Sequence, residues 1–111
     1  SFIEKANATA QMALSGEGVV SIADIVSNAS RFAGKKVKIQ GEVMKVNDAI
    51  MDRNWIHLED GSADDYDFVI TSNVSVSVGQ KVVFEGLIST DRDFGAGYTY
   101  ALLMEDAVTI K

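Results

Sequence analysis

Two glycines sit inside otherwise alternating apolar runs, and no feature of this chain limits its fold more tightly. From Lys36, the residues Val37, Ile39, Gly41 and Val43 alternate with Lys38, Gln40 and Glu42. That is the period of two expected of a half-buried strand. In a later run over residues 81–89, Val82, Phe84, Gly86 and Ile88 share one face. A glycine in mid-strand marks a sharp bend or a bulge, and the phase slip after Gly41 means that Met44 and Val46 need a bulge. Strands bent in this way coil, which favours a small closed or nearly closed barrel over an open sandwich.

The other elements follow the same alternation. The segment Arg53–Gly61 reads R-N-W-I-H-L-E-D-G, with Trp55, His57 and Glu59 on one face and Ile56 and Leu58 on the other. Asp60-Gly61-Ser62 then supplies turn chemistry. Residues 47–52 read as a loop with Ile50 and Met51 at its tip, residues 66–71 as a third strand, and 81–89 as a fourth. Residues 90–97 read as a long loop around Phe94, and 98–104 as a fifth strand with a short extension at 107–110. The expected interior is Val37, Ile39, Val43, Ile56, Leu58, Phe68, Ile70, Val82, Phe84 and Ile88.

One helix is expected ahead of the strands, over residues 21–33. Ser21 is a candidate N-cap with Asp24 three residues on, and Ile22, Ile25, Val26, Ala29 and Phe32 make an apolar stripe. Gly34 is placed to close it in a left-handed conformation. The pattern is that of a helix covering a sheet. Residues 1–18 read as an arm or linker in which Gln11, Met12 and Leu14 permit a short helix, and 19–111 as the domain.

With 111 residues the chain suffices for one domain with its own core. A formal net charge of −6 opposes binding that depends on duplex phosphates. The absence of cysteine excludes disulfides, thiolate metal sites and cysteine nucleophiles. No apolar run reaches the ~18 residues of a membrane-spanning helix. The start lacks a signal-peptide pattern, and its serine suggests a processed or trimmed product.

The pattern G-K-K-V-K-I-Q-G-E-V, a loop, and then W-I-H-L-E-D-G-S resembles the first two strands of an OB-fold. It is similar to the anticodon-binding domains of class II aminoacyl-tRNA synthetases. Residues 21–110 more closely resemble a group of small bacterial exported OB-fold proteins. The resemblance rests on I-A-D-I, F-A-G-K-K-V, R-N-W-I-H-L-E-D-G-S, V-G-Q-K-V-V-F-E-G and D-F-G-A-G-Y-T-Y with E-D-A. It implies a mainly β, five-stranded Greek-key barrel with an N-terminal α-helix, in a periplasmic or otherwise exported protein. Members of the group are loosely labelled nucleotide- or DNA-binding. The chain departs from most OB-folds because residues 72–80, rich in valine and serine, are too short for the usual helix between the third and fourth strands.

Trp55 is the leading candidate for a ligand contact. An exposed aromatic at this place can stack a base, as the equivalent aromatic often does in the synthetase domains; the competing reading packs Trp55 under the first loop or the N-terminal arm. His57 shares its face. Ile50 and Met51 on one loop, and Phe94 with Tyr98 on the other, either flank an apolar cleft beside Trp55 or pack on each other and close the side. Lys38, Lys45 and Arg53 supply a little positive charge. Asp60, Asp64, Asp65 and Asp67 miss the spacing of a calcium loop and read as a solvated turn. No nucleophile–base set, metal site or cofactor motif is visible, so no catalytic residue and no cofactor is expected. Two partners compete: single-stranded nucleic acid or a nucleotide, and a protein or peptide of the cell envelope.

Overall fold

The computed structural model describes residues 18–64 and 66–110. The expected arm, apart from Gly18, and Asp65 of the acidic turn lie outside the described residues. Two short helices, α1 (Ile22–Ser27) and α2 (Ala29–Phe32), precede β1 (Lys36–Ile50), β2 (Arg53–Glu59), β3 (Phe68–Ser72), β4 (Lys81–Asp93) and β5 (Thr99–Ile110). The five strands close into a ring in the order β1-β2-β3-β5-β4, with β4 paired back onto β1. Among the five strands all pairings are antiparallel except β3 with β5, and Val19 adds an isolated parallel bridge to Lys38.

The interior follows from the alternation. Nine of the ten expected interior residues are buried, and Val37 is half-buried against the same cluster. Ile22 and Ile25 of α1 and Met104 and Ala107 of β5 complete it. Both mid-strand glycines sit where the sheet folds tightly on itself. A Cβ on Gly41 would collide with the backbone carbonyl of Glu59. On Gly86 it would lie 2.6 Å from Met104 Cγ and 2.9 Å from the Glu105 carbonyl oxygen. The expected phase slip in β1 appears as a bulge between Val43 and Lys45.

The expected single helix is instead two. Ser21 caps as anticipated, its Oγ accepting from the Asp24 amide at 3.0 Å. Two further amides of the first turn are satisfied from the β2–β3 turn: Ile22 N–H donates to Asp60 Oδ2 and Ala23 N–H to Ser62 Oγ, both at 2.9 Å. Asn28 then ends α1. Its side-chain amide donates to the Asp24 carbonyl at 3.0 Å, and its backbone leaves helical geometry at φ −133°. Ile22 and Ile25 are buried and Phe32 beyond the break still packs against the core, but Val26 is exposed. Gly34 adopts the left-handed conformation at φ 81° and donates to the Ile88 carbonyl at 2.8 Å. No helix spans residues 73–80.

Strand ends also differ from the sequence reading. Tyr66 is exposed ahead of β3, and β1 runs on through Ile50. Residues 90–93, expected in a loop, belong to β4. They pair with β5, as Arg92 does with Tyr100 and Asp93 with Thr99. β1 pairs with β4 only as far as Leu87, and β3 pairs with β5 only from Met104 on. Among the described residues, 89–93 and 99–103 thus have no strand partner but each other. They form a two-stranded ribbon extending beyond the closed ring.

Candidate functional site

Trp55 points away from the ring interior and is nevertheless 2% exposed. It is buried without joining the interior cluster, because the ribbon folds over it. The Tyr100 ring stacks on the indole at 5.3 Å and 24°, the Phe94 ring meets it edge-on at 5.2 Å and 90°, and Tyr98 tilts against it at 5.7 Å. Each such pair contributes about 0.5–1.5 kcal/mol beyond the area it buries. The indole N–H donates to the Ile50 carbonyl at 2.9 Å, so the polar edge is satisfied as well. Of the two readings of Trp55, an open stacking face and a packed ring, the packed ring is the one seen. Among the described residues the ring is covered by the ribbon and bonded to the first loop through Ile50.

Local chemistry explains how the cover forms. Asp93 Oδ1 accepts from Gly95 N–H at 2.8 Å, and Phe94 N–H donates to the Tyr98 carbonyl at 2.8 Å, which tightens the ribbon tip. Across the ribbon Arg92 is opposite Tyr100, and Phe94 bonds to Tyr98. Arg92, Phe94, Tyr98 and Tyr100 thus fall in one phase of the ribbon. The facing β1–β2 turn holds three non-glycine residues at positive φ: Ala49, Met51 and Asp52. Left-handed backbone at such residues is strained, and strain of this kind gathers at functional loops.

Two arginines flank the Phe94 ring. The Arg92 guanidinium lies 4.7 Å and that of Arg53 5.0 Å from its centroid, and Arg53 is also 6.0 Å from Trp55. Arg92 is committed: its Nε and Nη2 donate to the two carboxylate oxygens of Glu105 at 2.8 and 3.1 Å. Glu105 is 7% exposed, so this pair fixes the ribbon to the body of β5. Arg53 has no carboxylate partner among the described residues. Among the described residues no acceptor engages its N–H groups, which lie beside an aromatic surface.

Of the expected site residues, Arg53, Trp55, Phe94 and Tyr98 come together, with Ile50 joined through its carbonyl. Ile50 pairs with Arg53 and leaves Met51 and Asp52 as the turn itself, with both Ile50 and Met51 half-buried. Both loops meet Trp55, the first through the Ile50 carbonyl and the second through Phe94 and Tyr98. Lys38 lies elsewhere, in register with Glu85 on β4. His57 shares the outer face of β2 but sits beside Asp67, Nδ1 3.5 Å from Oδ2. That is proximity without a hydrogen bond, and Nδ1 is buried without a partner. Tyr100, Arg92 and Glu105 were not singled out from the sequence. The even-numbered positions 92, 94, 98 and 100, spaced across D-F-G-A-G, carry the signal that finds the first two.

Burial raises the Tyr100 hydroxyl above its usual value, and the neighbouring Tyr98 adds to the effect. Among the described residues no group of three or more histidine, aspartate or glutamate side chains could hold a metal ion. A separate cleft of about 750 Å³ lies at the other end of β2, lined by Val20, Gln40, Glu42, Glu59 and Lys81 among others. No family model matches the chain, and no curated protein matches it significantly.

Proposed function

We propose that this chain is a non-catalytic OB-fold binding module whose ligand is a nucleotide or a short stretch of single-stranded nucleic acid. The strand order β1-β2-β3-β5-β4, with a parallel β3–β5 pair, supports an OB-fold. The N-terminal α1 caps the core in place of a helix between β3 and β4. OB-folds take ligands on the outer face of the second and third strands, between the first loop and the fourth-to-fifth-strand loop. That is where Arg53, Phe94 and Tyr98 converge.

The observation that carries the reading is Arg53. Its guanidinium lies over Phe94 with no carboxylate partner among the described residues, and its in-plane N–H groups suit a phosphate oxygen. One such contact predicts weakly salt-dependent binding, with a log–log slope near −0.7 for a single strand. Ring stacking supplies the rest, at about 1–3 kcal/mol per base. The net charge of −6 disfavours a long polyanion and is consistent with a short ligand.

A second reading, a protein or peptide partner, is favoured by the same acidity and by the self-covered Trp55. Titration with short mixed-sequence oligonucleotides at low and moderate salt separates the two. Binding at low salt that weakens modestly with ionic strength supports the nucleotide. No binding at low salt removes it. An exported location belongs to the proposal through the family resemblance, and cell fractionation checks it.

A further inference from the structure

The surface just described is only the outer layer of a site, because Trp55 lies beneath it. We infer that the β4–β5 ribbon is a hinged cover and that the face of Trp55 under Tyr100 is a second, cryptic base-stacking surface, exposed when the cover lifts. The inference rests on the reading that ligand binds on this side of β2, and it names how that site is regulated.

Three features make the ribbon separable from the ring. Its two segments, 89–93 and 99–103, pair only with each other among the described residues. A lone two-stranded ribbon is at best marginally stable in water, so this one depends on what its rings touch. What they touch is Trp55, through Phe94, Tyr98 and Tyr100. The part of the cover that can lift without disturbing the interior cluster is the tip over residues 92–100, since none of these four rings belongs to the cluster, whereas Leu102 packs against it and Leu103 is fully buried.

A hinge and a latch are both present. The register includes Thr90 with Leu102 and Arg92 with Tyr100, but the pair between them is missing, and Asp91 there stands at φ 53°. Left-handed aspartate in mid-strand breaks the ladder at one level and leaves the tip joined to the body by a weakened step. Beyond that step Arg92 reaches back to Glu105, both carboxylate oxygens engaged. This ion pair crosses the hinge and holds the tip down. Tyr100, stacked at 5.3 Å and 24°, occupies the place against Trp55 that a planar base would take.

The test uses hydrogen exchange of the Trp55 indole N–H, a single resonance because the chain has one tryptophan. It is measured without ligand in the wild type and in Glu105→Gln, together with the slowest ring amides of β1 and β4. A hinged cover predicts indole exchange ~100-fold or more faster than those amides, as local opening does relative to global unfolding. Glu105→Gln should quicken the indole about tenfold and the ring amides far less. It should also tighten binding of a short oligonucleotide, since a larger fraction of molecules is open. Indole exchange at the rate of the slowest ring amides, moved equally by the substitution, would overturn the cover. Fast indole exchange with no oligonucleotide binding at low salt would instead retain the cover and remove the nucleotide.

Discussion

The indole N–H of Trp55 donates to the carbonyl oxygen of Ile50 at 2.9 Å, so one side chain ties the β1–β2 turn to the strand that follows it. The same ring is stacked by Tyr100 from the ribbon. Trp55 therefore joins two loops that are far apart in the chain, and it does so outside the ring interior.

Trp55→Ala should consequently be destabilising. Emptying a buried aromatic site costs about 3–5 kcal/mol. Trp55→Phe keeps most of the packing but leaves the Ile50 carbonyl without its donor, a loss of about 1 kcal/mol. Urea denaturation of both variants checks the order. Emission from the wild-type ring should be blue-shifted and resist quenching; a loss below 1 kcal/mol for the alanine variant would show that the ribbon does not cover the ring in solution.

Gly41→Ala should be harder to accommodate than its chemistry suggests. The added methyl would run straight into the Glu59 backbone carbonyl, whereas at Gly86 the nearest atom belongs to the flexible Met104 side chain and the backbone oxygen of Glu105 is further off, at 2.9 Å. Overpacking of this kind costs about 1–3 kcal/mol, and the Gly41 variant should lie at or beyond the upper end. Thermal melts of the two alanine variants provide the comparison, with the lower midpoint expected for Gly41→Ala.

Asp60→Ala should loosen α1 while leaving the strand ladders of the ring intact. The carboxylate accepts from the Ile22 amide at the start of α1 and from Ser62 within its own turn. Loss of a cap costs about 0.5–2 kcal/mol. Amide exchange in α1 should quicken while β1 and β4 are unaffected.

Alkaline stability depends on the tyrosines. Burial raises the Tyr66 and Tyr100 hydroxyls above their ordinary value of 10.0, with Tyr98 adding to the shift of Tyr100. A group raised on folding contributes stability that is fully present below its unfolded pKa and is lost as pH rises through its folded one. Stability contributed by these groups should therefore hold through neutral pH and decline above about pH 10. Tyr100→Phe should flatten that decline, as urea midpoints across the alkaline range will show.

The interior of the fold was legible because it depends on local alternation. Ile39, Val43, Ile56 and Phe84 announce their side of the sheet by parity alone, and Gly41 and Gly86 announce the coiling. The state of Trp55 was not legible, since the residues that cover it lie 39 to 45 positions further on. They also sit in a stretch whose aspartates and glycines read as loop. Asn28 was hidden for a related reason: the apolar stripe passes over it, and only its side-chain bond to Asp24 reveals the break. Arg53 is one of several scattered cations in the sequence, and only the fold brings Phe94 beneath its guanidinium.

Oligonucleotide affinity of the wild type against Arg53→Gln, by fluorescence anisotropy at low salt with a short labelled single strand, tests the proposed site most directly. Arg53 is half-buried over two rings, so its loss should lower stability by only about 0.5–1 kcal/mol. Binding by the wild type, weakened about fivefold or more in the variant with the salt slope shallower by about 0.7, is the predicted result. Equal affinity for the two proteins, or no binding by either, would contradict it.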